Sequence, residues 1–142
     1  MMDQKVVDFL TGERVSALAV MMPDGTSHGA AMHFCFDPAQ NSIYFLTEAT
    51  SEKCRAVALG KTALASVVVG FDEKDNKVTV QLDGQLRQVL KAAELEKLKA
   101  VYFTKFADAK KYDSPESAYL EFSIGKWKYS DYRTHPEQII TS

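Results

Sequence analysis

Residues 14–37 read RVSALAVMMPDGTSHGAAMHFCFD, and this stretch decides the fold. Two apolar runs, 14–22 and 26–37, flank the tripeptide Pro23-Asp24-Gly25. Proline fixes φ, aspartate tolerates left-handed backbone and glycine supplies a positive φ, a combination typical of a tight turn. The stretch therefore predicts a β-hairpin. Because residues 14–22 are apolar on both faces, we expect the first strand to be covered on both sides.

The rest of the chain extends this hairpin into an antiparallel sheet with three helices. Apolar spacing and stop signals predict helices at 3–10, 51–60 and 92–106. In the second helix the inner stripe is expected to hold Cys54, Val57 and Ala58. Further strands are expected at 43–47, 62–71, 77–90, 118–124 and 126–132.

Local signals also indicate how these strands connect. A polar turn is expected at 72–76, and Gly84 in the middle of a long strand predicts a bulge. Since tight turns join successive strands, a parallel doubly wound sheet is excluded. The sequence predicts one mainly β domain over residues 1–142. Its six or seven antiparallel strands are expected to close into a β-barrel with helices at the ends.

Composition excludes several classes of protein. The chain has 142 residues, with 46% hydrophobic and 25% charged residues, as expected for one folded domain. Its formal net charge of -2 argues against binding to nucleic acid or to an anionic membrane surface. Two cysteines, Cys35 and Cys54, make no disulfide framework, and the first residues lack a signal-peptide pattern. We therefore expect a cytoplasmic protein. The three histidines have no metal-ligand spacing, so no metal site is expected.

The segment Thr47-Glu48-Ala49-Thr50-Ser51-Glu52-Lys53 carries the strongest chemical signal. A strand ends here, hydroxyl groups cluster, and a helix begins with a lysine in its first turn. A cation is disfavoured at a helix N-terminus unless an anion lies there. The hydroxyl groups of Thr47 and Ser51 with the Lys53 ammonium would then form a phosphate cradle. Alternatively, Thr50 or Ser51 only caps the helix and Lys53 points into water.

The order of these motifs resembles that of the pyridoxamine 5′-phosphate oxidase-like split-barrel flavoproteins over residues 3–130. The resemblance rests on the N-terminal helix, the hairpin described above, and three later motifs. These are Ile43-Tyr44-Phe45-Leu46-Thr47, Ser51-x-Lys53 and Leu82-Asp83-Gly84. The resemblance implies a homodimer that holds FMN in two clefts at the subunit interface.

The resemblance also implies roles for individual residues. Thr47, Ser51 and Lys53 would contact the FMN phosphate, and Leu46 precedes the phosphate-binding hydroxyl. Gly29 and Phe34 stand where the oxidase carries basic residues, so fewer phosphate contacts are expected. The remaining implied contacts are Ala31, Met32 and His33 along the isoalloxazine ring, Gln81 from across the barrel, and Trp127 from the partner chain.

These expectations lead to an FMN-dependent oxidoreductase acting on a small planar substrate stacked on the flavin. No residue is assigned as a general acid or base. The alternative is a flavin- or heme-binding protein without turnover, for storage, sensing or stress response. A deazaflavin coenzyme fits the same pattern of anionic tail and planar ring. The lysines between Lys91 and Lys111 alternate with acidic residues and are interpreted as a solvated helix face.

Overall fold

The structure, a computed structural model, describes residues 2–72 and 76–142. The helices are α1 (Gln4–Gly12), α2 (Glu52–Ala56) and α3 (Ala92–Lys105), with single 3₁₀ segments at Ala58–Gly60 and Ala107–Tyr112. The strands are β1 (Val15–Met21), β2 (Ser27–His33), β3 (Cys35–Asp37), β4 (Ser42–Glu48), β5 (Ala63–Asp72), β6 (Asn76–Gln88), β7 (Ser117–Asp131) and β8 (Gln138–Thr141).

All eight strands belong to one antiparallel sheet that curls into a split barrel. The strand order is β2-β1-β5-β6-β7-β4-β3, and β8 pairs with the end of β7. The predicted hairpin of β1 and β2 is confirmed. At its turn Gly25 has a φ of 87°, and the Asp24 carboxylate accepts hydrogen bonds from the backbone and hydroxyl of Thr26. The mainly β antiparallel fold predicted from the sequence is therefore correct.

Two apolar clusters hold the sheet together. The main core fills the inside of the curl, and its largest fully buried side chains include Phe34, Phe45 and Phe122. The second cluster lies under α3, where Leu98, Tyr102, Phe103 and Phe106 pack against side chains from β3, β4 and β7. Together the two clusters fix α3 beside the end of β4.

The paired strands β6 and β7 approach each other closely at two glycines, Gly84 and Gly125. The register shifts between Asp83 and Gly84, and the extra residue on β7 is Gly125. A Cβ atom on Gly84 would lie 2.0 Å from the carbonyl oxygen of Ser123, so this approach requires glycine. The predicted bulge is confirmed. However, β7 continues through the bulge, so the segments expected as two strands at 118–124 and 126–132 form a single strand.

Four further expectations were wrong. In β1 only alternate residues are buried, so one face is covered rather than both. The run 26–37 breaks at Phe34, whose N–H donates to the Arg14 carbonyl, giving two strands instead of one. In the second helix Ala56 is buried while Ala58 is exposed. The described residues form eight strands rather than six or seven, because β8 carries no distinctive pattern.

The turn expected at 72–76 falls mostly on residues 73–75, outside the described residues. Within residues 2–72 and 76–142, none of the helices combines the length and apolar character needed to span a membrane.

We expect Gly84→Ala to destabilise the fold by about 1–3 kcal/mol, the usual cost of overpacking. The new methyl group would clash with the Ser123 carbonyl, and backbone in a paired strand cannot move aside as a flexible side chain can. Chemical denaturation measures the loss. Gly12→Ala is the matched control, since a Cβ atom there meets nothing within 4 Å. Equal stability of the two variants would contradict the close-approach explanation.

The Asp131–Arg133 pair at the end of β7 predicts a pH dependence of stability. Arg133 Nε and Nη2 donate to the two carboxylate oxygens at 2.9 and 2.7 Å, and these hydrogen bonds lower the pKa of Asp131 to about 2. An unfolded aspartate has a pKa of about 3.9. The pair therefore stabilises the fold above about pH 4 and loses this effect as the pH falls towards 2.

We expect Arg133→Gln to lower the free energy of unfolding only slightly at pH 6, because the guanidinium is largely exposed and solvent weakens the pair. The difference from wild type should vanish near pH 2. Denaturation curves across this range measure it. A difference that stayed constant with pH would show that the ion pair is not its cause.

Candidate functional site

A cavity of about 910 Å³ lies between β2, the end of β4, α2 and the segment that follows α3. Its size is in the range of small-molecule and cofactor pockets. Of the nine cofactor-binding residues expected from the sequence, the fold brings seven together here: Ala31, Met32, His33, Leu46, Thr47, Ser51 and Lys53.

Lys53 marks one region of this cavity. Only 7% of the surface of this lysine is exposed to solvent. It lies in α2, a helix of five residues. Among the described residues its ammonium has no hydrogen-bond or ion-pair partner, and no fully buried polar side-chain atom is unpaired. The Nζ atom is therefore accessible, and Lys53 is one of the residues that line the cavity. The interpretation that Lys53 simply points into bulk water was wrong.

Two hydroxyl groups accompany this lysine. Thr47 is the penultimate residue of β4 and Ser51 precedes α2, and their hydroxyl oxygens lie 3.5 Å apart. Ser51 occupies the N-cap position, yet its side chain makes no capping hydrogen bond and contacts Cys54 Sγ at 3.3 Å. The hydroxyls are thus placed to interact with a ligand in the cavity beside Lys53.

The strand β2 forms another wall. Ala31 and His33 are exposed on its outer face, whereas Met32 points inward and packs against the main core. The His33 ring meets the buried Phe106 ring edge-on, with centroids 5.5 Å apart. Ala31 lies in this edge strand, and its small, exposed side chain leaves room for a flat group.

Gln81 and Trp127, also expected to contact a cofactor, do not line this cavity. Gln81 is exposed on the outer face of β6 and lines a second cavity of about 800 Å³. Trp127 pairs in register with the buried Leu82 and packs partly against the main core. Within one chain neither residue joins the other seven, and their cofactor roles remain predictions.

Sequence reasoning missed three cations that line the cavity: Arg14, Lys105 and Lys111. Lys105 was interpreted as part of a solvated helix face, but it is half-buried, and burial lowers the pKa of its ammonium. The Arg14 guanidinium carbon lies 4.6 Å from the centroid of Phe106, and Lys105 Nζ lies 4.6 Å from that of Phe34. Arg14 precedes β1 and Lys105 ends α3, so only the tertiary fold reveals their proximity.

The cavity is consequently suited to an anionic, partly flat ligand. Four cations and two carboxylates line it: Arg14, Lys53, Lys105, Lys111, Glu48 and Asp108. Burial raises the pKa of the nearby Tyr102 to about 12, so this phenol stays neutral at ordinary pH. In the part of the chain that the structure describes, no three His, Cys, Asp or Glu side chains are grouped to hold a metal ion.

Several solved structures share this fold. A conserved hypothetical protein, Rv2991 from Mycobacterium tuberculosis, superposes with a TM-score of 0.74 at 18% identity, covering 94% of this chain and 86% of that one. The heme storage protein HutZ from Vibrio cholerae gives 0.71 at 14% identity, covering 87% and 89%. At such identities the likeness shows the fold alone.

A heme-binding protein from Mycobacterium smegmatis also superposes, with a TM-score of 0.73 at 16% identity. The alignment covers 94% of this chain but 54% of that protein, so this chain spans about half its length. Comparison with curated proteins finds no match in sequence.

The sequence itself matches one protein family. The family model described as pyridoxamine 5′-phosphate oxidase aligns with residues 2–131, which contain every helix and every strand except β8. The cavity and all nine residues expected to bind a cofactor lie within this range. The chain therefore belongs to the pyridoxamine 5′-phosphate oxidase family and has its split-barrel fold.

Proposed function

We propose that this protein is an FMN-binding oxidoreductase that acts on a small planar substrate. The observation that carries the proposal is Lys53, a buried cation without an anionic partner among the described residues, beside two hydroxyl groups in a large cavity. Burying a charge is costly unless it is compensated. A phosphate monoester supplies that compensation, together with acceptor oxygens for Thr47 and Ser51.

The residues of this chain would hold the cofactor by its two ends. Lys53, Thr47 and Ser51 bind the phosphate, and the exposed backbone and small side chains near Ala31 lie along the ring. Flavin, when bound, supplies the hydride and electron transfer chemistry. The protein positions the ring, and the apolar wall formed by Leu46 and Phe106 limits the access of water. We assign no general acid or base.

The proposal includes a homodimer. The outer face of β1 and β5 exposes apolar side chains that a monomer leaves in water: Val15, Met21, Leu64 and Val68, which are 40–58% exposed. Contiguous apolar surface of this kind is typical of protein interfaces. A second copy of the chain is the occupant we propose.

Gln81 supports the same arrangement. In the sheet register Ala31 pairs with Ala17, Ala17 with Val68, and Val68 with Gln81, so all four lie in one row on the outer face. With strands about 4.8 Å apart, Gln81 is about 14 Å from Ala31. Within one chain that separation keeps Gln81 out of the cavity. A second copy packed on this face could bring its own Gln81 to the cavity.

Heme binding without turnover is the second candidate. It is favoured by the heme-binding and heme storage proteins that share the fold, and by His33, which lines the cavity. A neutral imidazole is a common axial ligand of heme iron. Lys53 and Arg14 would then interact with the heme carboxylates.

We expect Lys53→Gln to weaken FMN binding about 10–100-fold, the usual effect of removing a charged hydrogen-bond partner. Fluorescence titration of FMN into the purified protein measures it. Arg55→Gln is the matched control, because Arg55 is in the same helix but is exposed and pairs with Glu52 at 2.7 Å. Titration of riboflavin, which lacks the phosphate, should show no difference between Lys53→Gln and wild type.

Unchanged FMN affinity in Lys53→Gln would contradict the phosphate assignment. The same set of variants separates the two candidate functions. If hemin binds more tightly than FMN, and His33→Ala changes the heme absorption spectrum, the heme alternative replaces the first proposal. Turnover is tested by the oxidation of NADPH, which the FMN-loaded protein should catalyse faster than free FMN does.

We expect Val68→Lys to convert a dimer into a monomer, since a charge at the centre of an apolar interface is left desolvated. Sedimentation velocity measures the change. The control is Ile139→Lys, because Ile139 is 47% exposed in β8, at the far side of the sheet. A monomeric wild-type protein, or a dimer that survives Val68→Lys, would refute this interface.

A further inference from the structure

The Ser51 hydroxyl is bonded to a thiol instead of to the helix that it precedes. Ser51 occupies the N-cap position of α2, where a serine oxygen usually accepts a hydrogen bond from a backbone N–H of the first turn. In the described part of the chain no such bond forms. The hydroxyl instead donates to Cys54 Sγ at 3.3 Å. The orientation of this hydroxyl is therefore set by Cys54.

Cys54 is itself fixed in position. Its surface is 7% exposed and its side chain belongs to the main core. Its Sγ lies 3.5 Å from the carbonyl oxygen of Glu48, to which the thiol donates. The same carbonyl accepts from the Ser51 backbone N–H at 3.0 Å. The thiol thus ties the Ser51 side chain to the end of β4, where Thr47 also contributes its hydroxyl to the cavity.

A thiol suits a hydroxyl that must be oriented before a ligand binds and must then turn towards it. Sulfur is a weak hydrogen-bond acceptor, so the contact with Ser51 is easily exchanged for a better one. A phosphate oxygen is a charged acceptor, and hydrogen bonds to it are about twice as strong as those between neutral groups. The Ser51 proton can therefore move from the sulfur to a phosphate beside Lys53, while Cys54 stays bonded to Glu48.

The second cysteine of the chain lacks this arrangement. Cys35 is also buried, but it belongs to the second cluster and does not line the cavity. Its Sγ lies 3.7 Å from the carbonyl oxygen of Val101, in α3. Cys35 therefore serves as a matched reference for a thiol that only fills space in the core.

We infer that Cys54 is a positioning residue of the anion site, which acts by orienting the Ser51 hydroxyl for the phosphate of the ligand. This inference rests on the proposed function, because it concerns the same phosphate group. Orienting a donor in advance favours binding, since less conformational freedom is lost when the ligand arrives. The effect of Cys54 on affinity must then require both the Ser51 hydroxyl and the phosphate.

A double-mutant cycle tests this requirement in the full-length protein. We expect Ser51→Ala to weaken FMN binding about tenfold or more, and Cys54→Ala about three- to tenfold. In the Ser51→Ala background, Cys54→Ala should cause no further loss, because the hydroxyl that it orients is gone. Cys54→Ser, which keeps a donor and an acceptor at this position, should bind FMN more tightly than Cys54→Ala. Fluorescence titration measures all four proteins.

Two controls separate positioning from a structural role. Cys35→Ala removes a buried thiol elsewhere and should leave FMN affinity unchanged. Riboflavin, which lacks the phosphate, should bind equally to wild type and Cys54→Ala, whereas a distorted cavity would weaken both ligands. Wild-type FMN affinity in Cys54→Ala, or an equal loss with and without the Ser51 hydroxyl, would overturn the inference.

A spectroscopic measurement keeps the native residue at position 54, so it holds even if Cys54→Ala fails to fold. In the Cys35→Ala protein Cys54 carries the only thiol. Its S–H stretching band in the Raman spectrum should shift when inorganic phosphate is added, because the sulfur loses the Ser51 hydrogen bond. Adding Ser51→Ala should abolish the shift. A band that stays in place at saturating phosphate would contradict the positioning role.

Inorganic phosphate also separates the failure of this inference from that of the proposed function. If phosphate binds with the same coupling between Cys54 and Ser51 but FMN does not bind, the positioning role stands and the cofactor assignment fails. If FMN binds through Lys53 but the two substitutions act independently, the cofactor assignment stands and the positioning role fails. If neither ligand binds, both fail.

Discussion

The close approach of β6 and β7 at Gly84 is the constraint on which the rest of the structure depends. The Ser123 carbonyl lies where any other residue would place its Cβ atom. The extra Gly125 bends β7 at the same point, since a bulge increases local twist. This bend lets one long strand pair with β6, β4 and β8. The sheet curls as a result, and the end of β4 comes to lie beside β2 with the cavity between them.

The sequence predicted what depends on neighbouring residues and missed what depends on distant ones. The hairpin at Gly25, the bulge at Gly84 and the helix over 92–106 follow from local turn chemistry and apolar spacing, and all three are present. Whether both faces of β1 are covered depends on what packs outside the sheet, which no local pattern encodes. For the same reason the sequence could not place Lys105 at the cavity, because its helix continues an ordinary alternation of charges.

The cations of the cavity illustrate how one fold can obtain the same charge from different positions. Phe34 stands where the resemblance to the oxidase calls for a basic residue on the second strand. In this chain the ammonium of Lys105, from α3, lies 4.6 Å from the Phe34 ring centroid. A positive charge is thus present in the region without a basic residue in the strand. Comparison of positions alone would not reveal this charge, because Lys105 is remote from Phe34 in the sequence.

The buried charges also bear on what the cavity is for. Lys53 and Lys105 would be easier to accommodate if each had a carboxylate beside it, and the chain has acidic residues enough to provide them. The fold instead places both in one cavity, where Lys105 donates to the Glu13 carbonyl and Lys53 has no partner among the described residues. Such uncompensated charge lowers the stability of the free protein and favours binding of an anion, because the ligand supplies the missing counter-charge. A purely structural role for Lys53 would predict the opposite arrangement, with its charge paired and the cavity closed.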